Sequence, residues 1–168
     1  MEVTFEINTY EGDGLIVSLS SSYDYIKEFV GSKGYPPIEV IDMSIIRKKG
    51  CGSIPLVVLK EIVSKATDIL LSSPDAVLFY LCDSTEPIPH IRQSRDLLCQ
   101  QYRDRLFTAM FERFCLDFGN DWNDYRIEAS IHGAPQYAHL IFRNEHRDVI
   151  SVIGQEIKSM FDIIEAEK

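Results

Sequence analysis

Apolar residues recur at every second position in two stretches near the start of the chain, which predicts two β-strands. The stretches are residues 3–8 and 15–19, and residues 11–14 between them read Glu-Gly-Asp-Gly, a turn-forming sequence. The chain is therefore expected to begin with a β-hairpin. A third strand is predicted over residues 38–46, where β-branched residues are frequent.

Two helices and a central strand are predicted next. A short helix is capped within residues 20–22 and ended by Gly31, and a longer one opens at Ser53 and Pro55 with apolar residues at helical spacing as far as Leu70. Residues 76–81 are apolar at every position. A strand of this kind is covered on both sides, so we place it in the middle of the sheet.

The second half of the chain contains another hairpin between two helices. A long helix with a wide apolar stripe is predicted from near His90 to Phe118. Alternation over residues 125–142 predicts two strands that turn at residues 133–135, and Asn144 is expected to cap a last amphipathic helix. Consecutive hairpins favour a mainly antiparallel sheet.

The predicted fold is therefore α+β, with a mainly antiparallel sheet of about six strands and two or three long helices packed on one face. The element order is β-β-α-β-α-β-α-β-β-α. No repeat, low-complexity segment or long linker divides the chain, so residues 1–168 are expected to form a single domain. The strand order is left open by the pattern.

The charge of the chain narrows the classes of partner. The formal net charge is −9, which argues against broad binding of nucleic acid or anionic lipid and favours a basic partner. The same acidity also serves simply to keep a protein in solution. No apolar run reaches the roughly 20 residues that cross a bilayer, and no secretory signal is visible, so we expect a soluble, cytoplasmic protein.

Cysteine and histidine spacings do not indicate a metal or another cofactor. The four cysteines lack paired CxxC spacing, and the four histidines form no HxH or HExxH pattern, so we expect reduced thiols and no metal site. His132 and His139 flank the turn of the second hairpin. They are interpreted as exposed strand residues.

One cluster of residues is suited to catalysis. Cys82, Asp83, His90 and Arg92 follow the predicted central strand, where a thiol nucleophile, a base and an anion-binding guanidinium could meet. In the alternative interpretation Cys82 is a core residue, Asp83 caps a turn, and Arg92 pairs with Asp96 on a helix.

Two basic segments are candidates for binding. Arg47, Lys48 and Lys49 precede a glycine-bearing loop and a helix start, which is an arrangement that can hold an anion. Arg103 and Arg105 on the long helix are candidates for contact with an acidic protein surface. Acidic residues lie among these arginines, so a solvated face with exposed ion pairs explains them equally well.

Three features resemble a family of small, functionally uncharacterised bacterial domains found mainly in the Bacteroidetes. They are the hairpin over residues 3–19, the apolar strand that ends in Cys82-Asp83-Ser84, and the helix segments over residues 103–107 and 111–114, which are rich in arginine and aromatic residues. The resemblance implies a bacterial, cytoplasmic protein with an α+β fold. It transfers no catalytic residue.

The leading hypothesis for function is a non-enzymatic protein-interaction or regulatory domain that binds a protein partner or a second copy of itself through a sheet edge or the long helix. The alternatives are a small enzyme that acts on an anionic substrate through Cys82, His90 and Arg92, and an anion- or nucleic-acid-binding module that uses residues 47–49.

Overall fold

The computed structural model describes residues 2–9, 12, 14–21, 23–49, 54–82 and 98–167. The strands are β1 (Glu2–Asn8), β2 (Gly14–Ser21), β3 (Glu39–Lys49), β4 (Ala76–Cys82), β5 (Trp122–Ile131) and β6 (Ala134–Arg143). The helices are α1 (Asp24–Ser32), α2 (Leu56–Ser72), α3 (Cys99–Phe118) and α4 (Arg147–Ala166), the last preceded by a 3-10 turn over Asn144–His146. The predicted α+β class and element order are confirmed.

The six strands form one sheet in the order β1-β2-β3-β4-β6-β5. β3 and β4 are parallel because α2 connects them as a crossover helix, and every other neighbouring pair is antiparallel. β4 lies between β3 and β6, so the wholly apolar strand is central, as predicted. A mainly antiparallel sheet of six strands is thus confirmed.

The helices lie on both faces of the sheet, whereas the sequence led us to expect them on one. Leu78 of β4 packs with α2 and α3 in one core, and Val77 and Phe79 pack with α1 and α4 in another. Neighbouring residues of a strand point to opposite faces. A strand that is apolar at both sets of positions therefore needs cover on each side. We call these two sides the α2–α3 face and the α1–α4 face.

Two element boundaries differ from the prediction. α3 begins at Cys99, because Leu98 has an extended backbone, and residues 90–97 of the predicted helix lie outside the described residues. The turn of the second hairpin lies at His132 and Gly133, whose φ angles are 55° and 74°. Two positive φ angles define the tight type I′ turn, so β6 already begins at Ala134.

Candidate functional site

The residues of the predicted catalytic cluster are only partly described. Cys82 ends β4 and is fully buried, and burial raises the pKa of its thiol to about 12, with the nearby Asp104 carboxylate acting in the same direction. Asp83, His90 and Arg92 lie outside the described residues. A buried, protonated thiol suits a core residue. The proposed joint role of these four residues in catalysis stays a prediction.

The predicted basic residues lie on two different elements of the fold, β3 and α3. Arg47, Lys48 and Lys49 end β3, and Lys48 reaches across to β1, where its Nζ lies 3.3 Å from Glu6 Oε2. On α3, Arg105 is exposed and Arg103 is partly buried. The glycines of the predicted anion-binding loop, residues 50–52, lie outside the described residues, so anion binding there stays a prediction.

A buried ionic cluster joins α3 to β5 and β6 on the α2–α3 face. His139 Nδ1 lies 2.8 Å from Asp124 Oδ2, and its Nε2 lies 3.1 Å from Asp104 Oδ1. Arg126 donates to both oxygens of Asp104, from Nε at 2.6 Å and from Nη2 at 3.0 Å. The interpretation of His139 as an exposed strand residue is therefore wrong.

His139 is fully buried at the centre of this cluster. Each ring nitrogen faces a carboxylate oxygen, and a nitrogen can donate there only when it holds a proton. The ring of Phe107 covers the imidazole at a centroid distance of 4.6 Å. The network connects one helix to two strands, and it runs from the buried His139 to the Arg126 side chain, which is 39% exposed. The sequence signal for this burial is the apolar run on either side of His139, residues 138–142.

A recess opens where the two parallel strands separate. The pairing of β3 with β4 ends at Met43 and Tyr80, although β3 continues to Lys49 and β4 to Cys82. The space between them has a volume of about 370 Å³. Its lining consists of Tyr23, Asp42, Met43, Ser44, Ile45, Ile46, Phe79, Tyr80, Leu81 and Arg103. We call this space the β3–β4 recess, and the carboxyl ends of parallel strands are a common place for ligands.

Asp42 is the carboxylate of the β3–β4 recess. It is partly buried, and burial raises the pKa of its carboxyl group. Within the described part of the chain, no hydrogen bond or ion pair is formed by its side chain. Tyr23 lies beside Asp42 in the lining of the recess. Its backbone φ is 73°, a value that residues other than glycine rarely adopt, and its ring packs edge-on against that of Phe79 at a centroid distance of 5.5 Å. Burial, together with the charge of Asp42, raises the pKa of Tyr23 to about 12.

The recess borders a sheet surface on which no described helix packs. α4 packs on β5 and β6, and α1 packs on β3 near Val40, so no helix of the described ranges covers the α1–α4 face of β1, β2 and the later part of β3. None of the side chains that point outward here is buried: Glu2, Thr4, Glu6, Asn8, Ile16, Ser18, Ser20, Asp42, Ser44, Ile46 and Lys48. We call this surface the open sheet face.

Among the described residues, no group of three or more His, Cys, Asp or Glu side chains is arranged to hold a metal ion. Nor does any helix in the described ranges combine the length and apolar character needed to cross a bilayer. Comparison of the chain with protein-family models, with curated proteins and with solved structures finds no match.

Proposed function

We propose that the protein is a non-enzymatic interaction domain whose open sheet face binds a protein partner with a basic surface. The observation that supports this is the difference between the two faces of β1, β2 and β3. On the α2–α3 face these strands contribute buried core residues such as Val17, Leu19 and Met43. On the other face the same strands present a broad surface that the described helices leave uncovered.

The composition of the open sheet face suits contact with a protein. Ile16 and Ile46 are directly opposite each other on neighbouring strands, and Ile46 is 52% exposed. Hydroxyl groups surround this apolar pair, among them a cross-strand contact of 3.3 Å between Thr4 Oγ1 and Ser18 Oγ. An apolar centre with a polar surround is the usual arrangement of a protein interface.

The charges on the open sheet face favour a partner with a basic surface. The open sheet face carries three carboxylates, those of Glu2, Glu6 and Asp42, and one ammonium group, that of Lys48. The whole chain carries a formal net charge of −9. Complementary charge speeds association and selects among partners. Like charge opposes the pairing of two identical acidic faces.

The proposal is tested by capture from an extract of the native cells with three baits: the wild type, Ile46→Glu and Leu116→Glu. Leu116 is the matched control, because it is 78% exposed and lies on α3, on the opposite side of the sheet. We expect a basic protein that the wild type and Leu116→Glu retain and Ile46→Glu loses, with retention that weakens as salt is added. Identical captures by all three folded baits would contradict the proposal.

Light scattering on the same three proteins separates a different partner from a second copy. We expect monomers, since the acidic faces repel each other. If the wild type and Leu116→Glu are dimers while Ile46→Glu is a monomer, the open sheet face binds a second copy of the chain rather than a basic partner.

A further inference from the structure

We propose that the outer edge of β1, the side that points away from β2, binds an extended basic segment of the partner as a further strand of the sheet. This inference rests on the proposed function, because the segment belongs to the basic protein that binds the open sheet face. The edge continues that face, since Glu2, Thr4 and Glu6 of β1 belong to it.

The outer edge of β1 presents backbone groups that no described segment pairs with. β1 is the first strand in the sheet order, and within the described residues it pairs only with β2. In an antiparallel pair, every second residue directs its N–H and its C=O away from the neighbouring strand. The edge is therefore a row of hydrogen-bond donors and acceptors, which an extended segment matches group for group.

β1 also lacks the features that commonly prevent an edge strand from pairing further. These features include proline, lysine, a β-bulge and a very short length. β1 has seven residues, none of them proline or lysine. Its pairing with β2 continues from Glu2 to Asn8 without a shift of register. A strand of this regularity can pair along its whole outer edge.

The other edge strand of the sheet, β5, is different on the α2–α3 face. There Asp124 and Arg126 of β5 belong to the ionic cluster with His139 and Asp104. The side chains that β1 directs to this face are apolar, and Val3 among them is 39% exposed. Charged residues at an edge oppose a further strand, whereas apolar residues gain from being covered by one. β1 is therefore the edge that is suited to binding.

Charge favours a basic segment over a second copy of the chain. Glu2 and Glu6 lie on the open sheet face of β1, and side chains of an added strand would lie beside them on the same face. The contact of Lys48 with Glu6 is an example of this attraction within the chain. Two copies joined through β1 would instead place the glutamates of both chains on one face. Opposite charges on neighbouring strands stabilise their pairing, and like charges oppose it.

The direct test is a titration of the full chain with a peptide of the same length as β1, in which lysine and valine alternate. Amide hydrogen exchange followed by NMR is the measurement, because the outward amides of β1 exchange fast in the free chain. We expect the peptide to slow these amides saturably and to leave β5 unchanged. Shifts of Ser18 and Ser44 without slower exchange in β1 would mean that the peptide lies flat on the open sheet face, which would overturn the proposal.

The role of the backbone is tested with two control peptides, which carry N-methyl groups on either the lysine or the valine residues. Successive N–H groups of a strand point to opposite edges, so only one of the two sets faces β1. We expect one control to bind about tenfold or more weakly, through the loss of several hydrogen bonds, and the other to lose less. Equal affinity of all three peptides would contradict strand pairing.

The role of charge is tested with Glu2→Lys, for which Glu61→Lys is the matched control. Both variants change the net charge by the same amount, and Glu61 is exposed on α2, on the opposite side of the sheet. We expect the lysine peptide to bind Glu2→Lys about threefold or more weakly than Glu61→Lys, because a cross-strand attraction becomes a repulsion. Equal affinities would show that the edge does not select a basic segment.

The failures of the two proposals are distinguishable. If the peptide leaves the β1 amides unchanged while Ile46→Glu still loses the partner, the edge proposal fails and the interaction domain stands. If the peptide protects β1 while all three baits capture the same proteins, the proposed function of the open sheet face fails and the edge remains a strand-binding site. A dimeric wild type whose β1 amides all exchange slowly without peptide would mean that a second copy occupies the edge, against the proposal.

Discussion

Asp104 and His139 lie 35 residues apart in the chain, yet Asp104 Oδ1 is 3.1 Å from His139 Nε2 inside the fold. The same carboxylate accepts two hydrogen bonds from Arg126. One side chain of α3 thereby contacts both β5 and β6, so this helix is held on the sheet by charge as well as by apolar packing.

Asp104→Asn should lower the free energy of unfolding by about 2 to 3 kcal/mol, because it removes the negative charge of the carboxylate that contacts both His139 and Arg126. The matched control is Asp117→Asn on the same helix, whose exposed pair with Arg113 at 3.4 Å contributes at most about 0.5 kcal/mol. Urea denaturation of both variants measures the difference. Equal losses would show that Asp104 does not anchor α3.

Gly154→Ala should be destabilising by about 1 to 3 kcal/mol, a typical result of overpacking. A Cβ atom at Gly154 on α4 would lie 2.9 Å from both Cδ1 and Cζ of the Tyr125 ring on β5, and closer still to its Cε1. Gly31 is the control, since a Cβ there meets nothing within 4 Å, and Gly31→Ala should leave stability equal or slightly higher. Thermal unfolding of both variants measures the difference. A Gly154→Ala variant with the melting temperature of the wild type would mean that α4 can move away from β5.

Cys82 should resist alkylation in the folded protein. At about pH 8 we expect iodoacetamide to modify the less buried Cys99 first and Cys82 only after unfolding, as read by peptide mass mapping. Rapid native modification of Cys82 would instead favour the enzymatic alternative.

The raised pKa of the Cys82 thiol predicts that the folded protein loses stability at alkaline pH. Its pKa is raised from 9.0 to about 12 in the fold, so between these values the folded chain holds a proton that the unfolded chain has released. Stability should therefore fall as the pH rises through that window. Cys82→Ala should remove this part of the fall, which urea denaturation at a series of pH values would detect.

Asp42→Asn should increase stability at neutral pH. Burial raises the pKa of Asp42 above 3.8, so the folded chain binds a proton more readily than the unfolded chain, and the carboxylate opposes folding as the pH rises above that value. The gain of the variant should shrink as the pH falls below 3.8, where both states are protonated. A variant that is less stable than the wild type at neutral pH would show that Asp42 already has a stabilising partner.

Local patterns were sufficient to predict the elements of this fold. Alternation found both hairpins, helical spacing found α2 and α4, and the wholly apolar residues 76–81 placed β4 in the centre. These predictions succeed because the periods of strands and helices are properties of the backbone itself. The same central strand also indicated cover on both faces, although we expected the helices on one.

The tertiary structure alone decided which polar side chains meet. The sequence placed His139 on an exposed hairpin strand, but α3 covers that strand and brings Asp104 to it from a distant part of the chain. Neither residue carries a local signal of the other, because the contact depends on where a helix docks. The β3–β4 recess has the same origin, since it arises where two parallel strands stop pairing, and strand pairing is a long-range property that residue spacing does not contain.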